Sequence, residues 1–142
     1  MTRVFLDACL VIDLVEGTAE QQQCLKAQLR GRRVYGSELV RMEARLQAIR
    51  DNRLEHLETY DRYFADCWLV PFDRSVFDLA TRLRIAHRIK TPDTLHLAAA
   101  LIAECDQFWT NDQHLAKAAE GHLEIVDWER LSAEPLPEDE NN

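Results

Sequence analysis

Short apolar runs, each bounded by polar or turn residues, recur along the chain, and longer stretches with helical spacing of apolar residues lie between them. The runs are VFL, RRVYG, CWLVP, QFWT and LEIVDW. Their length and their β-branched and aromatic content predict strands. The intervening stretches predict helices over residues 10–16 and about 18–30, the second ending at Gly31 as a C′ residue. Further helices are expected over 38–50, capped by Ser37, and over 53–66. In DRSVFDLATRLRIAHRI, Val76, Ala80, Leu83 and His87 recur at i, i+4, i+7 and i+11, an apolar stripe that draws His87 toward the core. TPDTLHLAAALIAE predicts a helix with Thr91 as N-cap and Pro92 at the first helical position, where its missing N–H does no harm. NDQHLAKAAEG predicts a short one. Strands alternating with helices imply a parallel sheet covered on both faces, a single three-layer α/β/α domain.

Composition narrows the setting. At 142 residues one core suffices, burying about 70% of the unfolded surface. No stretch reaches the ~18–20 apolar residues of a membrane span, and no basic-then-apolar leader opens the chain, so a cytoplasmic address without a membrane is expected. Cys9, Cys24, Cys67 and Cys105 are widely spaced without a C-x-x-C, which predicts reduced and mostly buried thiols. The net charge of −8 speaks against nucleic acid until its distribution is considered. Residues 30–90 carry 13 basic and 9 acidic side chains, whereas 91–142 carry 2 and 12. Part of that acid lies in SAEPLPEDENN, so the domain is expected over 1–130, with 131–142 as an acidic flexible tail.

Four carboxylates stand where chemistry is usually placed. In open parallel sheets, sites form at the carboxyl ends of strands. Asp7 ends the first predicted strand, Asp112 follows the fourth, and Asp93 sits in the first turn of a helix. Taken singly, Asp93 and Asp112 are ordinary favourable acids at helix N-termini. Glu43 lies about 40° from Leu39 on a helical wheel, at the edge of an arc of Leu39, Met42, Leu46 and Ile49 that the pattern assigns to the core. A carboxylate there needs a partner, an arginine in the plainest case. Asp13, within an otherwise apolar helix, is expected on the solvent side without a role. Four acids at one end of a sheet repel one another unless cations lie between them. An all-oxygen set without sulfur or imidazole suits Mg²⁺ or Mn²⁺. Such ions bind a phosphodiester oxygen and lower the pKa of a bound water.

The ordered segments VFLDACLVID, SELVRMEAR, TPDTLHLAAAL and FWTND resemble those of PIN domains, at similar spacing and over nearly the whole chain. The size resembles the VapC toxins of type II toxin–antitoxin pairs. The resemblance implies a five-stranded parallel sheet, a Mg²⁺- or Mn²⁺-dependent endoribonuclease, a homodimer, and inhibition by a cognate antitoxin protein. It assigns Asp7, Glu43, Asp93 and Asp112 to the metal-binding catalytic site, with Ser37, Thr110 and Asn111 at supporting polar positions. One departure is plain: Ala8 and Cys9 follow Asp7 where a serine or threonine is common. His96, one turn after Asp93, is expected as a satisfied structural histidine able to reach Asp93, and Trp109 as packing. Arg30, Arg32 and Arg33 are possible phosphate contacts whose distance from the acids the sequence leaves open. Alternatives are a degenerate PIN module that binds RNA or a partner without cutting, and a housekeeping RNA-processing nuclease. A phosphoacceptor domain needs a second acid beside Asp7, which Ala8 and Cys9 do not supply.

Overall fold

Val4, Phe5 and Leu6 are wholly buried, so the first strand is covered on both faces and belongs in the middle of a sheet. The computed structural model, which describes residues 1–133, places it there. Strands β1 (Arg3–Leu6), β2 (Arg33–Gly36), β3 (Trp68–Leu69), β4 (Gln107–Trp109) and β5 (Glu124–Val126) run parallel in the order β3-β2-β1-β4-β5. The helices are α1 (Ala8–Glu16), α2 (Ala19–Leu29), α3 (Glu38–Arg50), α4 (Leu54–Ala65), α5 (Arg74–His87), α6 (Thr91–Ile102), α7 (Gln113–Ala119) and α8 (Trp128–Ala133). Helices α1 to α4 pack among themselves, as do α5 to α7. Right-handed connections place these two groups on opposite faces of the sheet. The expected three-layer α/β/α architecture and five-stranded parallel sheet are both present. The four cysteines are free thiols.

Strand ends lead straight into helix caps, which is how the fold turns polar side chains toward the top of the sheet. Asp7 caps α1 through the Ala8 amide, Ser37 caps α3 through Val40, and Asp112 caps α7 through His114 and Leu115.

Several local expectations are corrected. In α3 the buried line is Val40, Ala44 and Ala48, while Met42, Leu46 and Ile49 are 57%, 55% and 50% exposed. The small residues bring α3 close to its neighbours, and the large ones face outward. Thr91 is not the N-cap of α6; Lys90 is, without a side-chain cap bond. The Thr91 hydroxyl instead accepts from the Arg84 guanidinium at 3.0 Å. His87 is only half-buried at the end of α5 and meets His122, Nε2 to Nε2 at 3.3 Å. Asp13 is half-buried rather than on the solvent side, and burial raises its carboxyl pKa. DW of LEIVDW leaves the last strand and opens α8. That helix carries buried Leu131, so the packed chain continues past the boundary expected at 130. Residues 134–142, the rest of the acidic tail, lie outside the described residues. No helix among the described residues is long and apolar enough to cross a membrane.

Candidate active site

The strand order turns at β1. The chain builds outward through β2 and β3 on one side, then returns to add β4 and β5 on the other. Such a switch point opens a crevice at the carboxyl ends of the two central strands. Leu6 pairs in register with Trp109, which brings Asp7 beside Thr110. The Asp7 amide donates to the Trp109 carbonyl at 2.9 Å. Fully buried Thr110 then links two acids: its hydroxyl donates to Asp7 Oδ2 at 2.8 Å and accepts the Asp112 amide at 3.0 Å. Asp7 Oδ1 accepts the Ala8 amide at 2.8 Å, and Asp112 Oδ1 accepts those of His114 and Leu115 at 2.9 and 3.1 Å. Both carboxylates are thus aimed by the backbone and still carry free lone pairs.

Asp93 enters from the first turn of α6. Its carboxyl is held above the usual aspartate pKa by burial first, then by the charges of Asp112 and Asp7. His96 opposes the shift and Glu43 adds to it. Asp7, Asp112 and Glu43 are thus within electrostatic reach of Asp93, and Asp93 and Asp112 line one cleft. Glu43 comes from α3, 35% exposed, and its Oε1 meets Nε2 of His96, which is 1% exposed. The partner is therefore a buried histidine rather than an arginine, and His96 turns to Glu43 rather than to Asp93. His96 Nδ1 has no hydrogen-bond partner among the described residues.

The sequence reading missed a role for Cys9. Its Sγ lies 3.6 Å from Asp7 Oδ2, and burial, with the Asp7 charge, pushes the thiol pKa up to about 12. The thiol keeps its proton and donates to Asp7, a weaker substitute for the absent hydroxyl; Thr110 supplies the stronger donor from β4. Asn111 accepts the Trp128 amide at 2.8 Å, and Ser37 serves as a cap. Trp109 is core, its indole N–H donating to Gln107 at 2.9 Å. Arg32 and Arg33 lie over Trp109 and Trp68.

Among the described residues no group of three or more His, Cys, Asp or Glu side chains is arranged to hold a metal ion as it stands. The four acids are an open set, not a finished cage. Their all-oxygen donors fit a hard ion of the Mg²⁺ kind, which binds through one or two carboxylates and keeps much of its water.

The sequence model of the PIN domain matches residues 4–121. The chain belongs to the PIN domain family. No curated protein matches it significantly. Among solved structures, VapBC2 of Rickettsia felis bound to a promoter DNA fragment aligns with a TM-score of 0.72 at 12% identity, covering 89% of this chain and 99% of that one. A toxin–antitoxin complex from Klebsiella pneumoniae aligns with a TM-score of 0.67 at 20% identity, covering 87% and 95%. VapBC-5 of Mycobacterium tuberculosis gives 0.64 at 20%, covering 89% and 99%. These likenesses establish a shared fold.

In this PIN domain the two polar supports separate by experiment. Thr110→Val keeps the branched shape but releases Asp7 and the Asp112 amide. Any nuclease activity is expected to fall by about 10–100-fold, the scale seen when a side chain that orients a site carboxylate is lost. Ser37→Ala is expected to cost about 1 kcal/mol in urea melts through the lost cap, with cleavage per folded molecule unchanged. If Ser37→Ala proves the more damaging to cleavage, the roles are reversed.

Proposed function

We propose that this PIN domain is a divalent-metal-dependent endoribonuclease and the toxin of a toxin–antitoxin pair. The observation that carries the reading is the Thr110 link between Asp7 and Asp112 at the switch point of the sheet, with Asp93 beside Asp112 in one cleft. Asp7, Glu43, Asp93 and Asp112 are the residues that would hold Mg²⁺ or Mn²⁺, which when bound supplies Lewis acidity and offsets the charge of a phosphodiester. The chain's own work is positional. Thr110 and the Ala8 amide fix Asp7, the α7 amides fix Asp112, and His96 holds Glu43. Acids grouped in this way repel a phosphodiester, so phosphate would be drawn to them only with a cation present. Hydrolysis by water needs no attack by the ribose 2′-hydroxyl, so the products carry 5′-phosphate and 3′-hydroxyl ends.

An antitoxin protein is the expected partner, silencing the site by bringing an arginine or lysine to the carboxylates. The exposed line of Met42, Leu46 and Ile49 on α3 supports a homodimer, since a stripe of this kind is normally covered. The test is cleavage of single-stranded RNA with Mg²⁺, with Mn²⁺ and after exhaustive EDTA treatment, followed by end mapping. Cleavage restored by either metal and yielding 5′-phosphates is expected. Cleavage that survives EDTA, or 2′,3′-cyclic phosphate products, overturns the reading. A protein that binds RNA without cutting it under any of these conditions favours the degenerate alternative.

A further inference from the structure

A cleft of about 720 Å³ is lined by the end of α5 with its following loop, the start of α6 and the side of α7. It holds Asp93 and Asp112 together with three cations, Arg88 and Lys90 from the α5 end and its loop and Lys117 from α7, and also Glu120. None of these three cations has an ion pair or side-chain hydrogen bond among the described residues. Neighbouring Arg84, by contrast, is engaged by the Ile89 carbonyl and the Thr91 hydroxyl, each at 3.0 Å. The cations of the cleft therefore do nothing visible for the fold.

Arg88 sharpens the point. It ends α5 in the left-handed conformation, φ 53° and ψ 38°. A residue with a Cβ is disfavoured there, and glycine is the usual occupant. The cap's backbone bond, from the Arg88 amide to the Arg84 carbonyl at 3.0 Å, needs no side chain. Glycine would close the helix at lower conformational cost, yet the chain places an unpaired guanidinium at this corner of the cleft.

We propose that Arg88, Lys90 and Lys117 form a track for successive phosphates of single-stranded RNA, leading to or from the bond held at the acids. The proposal deepens the ribonuclease reading and rests on it for what happens at the acids. A protein of net charge −8 attracts a polyanion poorly as a whole. Local cations in a concave wall next to the acids offset that repulsion where it matters, and they hold the strand before chemistry begins. A single strand bends into such a cleft, whereas a duplex presents its phosphates on a stiff convex cylinder.

The test uses the full chain carrying Asp7→Asn, so that the probe survives, with Mg²⁺ and a fluorescein-labelled 20-nucleotide RNA of mixed sequence. Anisotropy titrations over a range of salt give the slope of log affinity against log salt, which is about 0.7 per phosphate neutralised on a single strand. Adding Arg88→Gly, Lys90→Gln and Lys117→Gln together should flatten the slope by about 2 and weaken binding at least tenfold at low salt. Arg88→Gly alone should flatten it by about 0.7 while melting at or above its parent, because the left-handed corner is relieved. That pairing separates lost binding from lost folding. Arg74→Gln, about 20 Å away at the other end of α5, removes the same charge and should leave the slope unchanged.

An unchanged slope in the triple variant overturns the track, as does an equal loss in Arg74→Gln or failure of the parent to bind RNA at low salt. The two readings fail separately. Binding through the track with no cleavage by the wild type in Mg²⁺ or Mn²⁺ upholds the track and ends the nuclease reading. Cleavage by the wild type with an unaltered slope in the triple variant does the reverse.

Discussion

Asp7→Asn is expected to lower RNA cleavage by more than about 100-fold, beyond the 10–100-fold typical of outer-shell losses, while leaving the metal-free fold at least as stable as the wild type. Asparagine caps a helix as well as aspartate does, so α1 keeps its start. Asp93 is the source of the gain in stability. Its carboxyl is raised above the ordinary value by burial and by the charges of Asp112 and Asp7. A carboxyl whose folded pKa exceeds its unfolded one stabilises the native state at low pH, and that contribution is lost as pH rises through the folded value. At neutral pH without metal, the native protein therefore bears the crowding of its acids, and Asp7→Asn removes one source of it. Thermal melts in EDTA at pH 7 should show the variant equal to or above wild type, with any advantage fading toward pH ~4. Excess Mg²⁺ should stabilise the wild type more than the variant, since only binding to the native state contributes. Asp13→Asn is the control, because the Asp13 charge is not among those acting on Asp93; it should keep both cleavage and the Mg²⁺ response. A variant at Asp7 that melts well below wild type in EDTA, or retains more than about a tenth of its activity, is incompatible with the site described.

His96→Ala is expected to destabilise the protein by about 2–4 kcal/mol in urea denaturation, from a cavity beside Phe5 and the loss of the only described partner of Glu43. The histidine is wholly inside, so water cannot replace it at its own position. A cycle of Glu43→Gln, His96→Gln and the double variant should give a coupling of about 0.5–3 kcal/mol. Additivity within about 0.3 kcal/mol would mean the two side chains only happen to touch. Weakened Mg²⁺ binding by His96→Gln, measured by calorimetry, is the readout that a purely structural histidine would not change.

The strands and the acids were legible in the sequence because each obeys a local rule. VFL, RRVYG and QFWT are short apolar runs, and Asp7, Asp93 and Asp112 stand where strands end or helices begin. What failed depended on which neighbours approach. Met42, Leu46 and Ile49 are large apolar residues of α3 that point outward, because its packed side is made of Val40, Ala44 and Ala48, and the two alanines permit a close crossing. The Thr91 hydroxyl reads as a cap until Arg84, seven residues earlier, takes it. The placement of Glu43 was anticipated, but His96 as its partner was not, since residues 53 apart in sequence meet only once α3 and α6 have docked. Cys9 was noticed for lacking a hydroxyl, and its thiol contact with Asp7 depends on the curl of the chain into α1. The basic residues around 30–33 drew notice as phosphate contacts, whereas the cations that line the cleft come from two separate stretches of chain.

The central position of β1 bears on how the molecule comes apart. Edge strand β3 has two residues, both exposed, while Val4 to Leu6 are sealed between two strands and two layers of helix. Amide protons of β1 should therefore exchange only through global opening, and those at the sheet's margins through local fraying of much lower free energy. Asp7 and Thr110 hang from the two strands that open last. The margins of the molecule can breathe, as they must if a partner or another copy is to dock there, without the carboxylates losing their alignment.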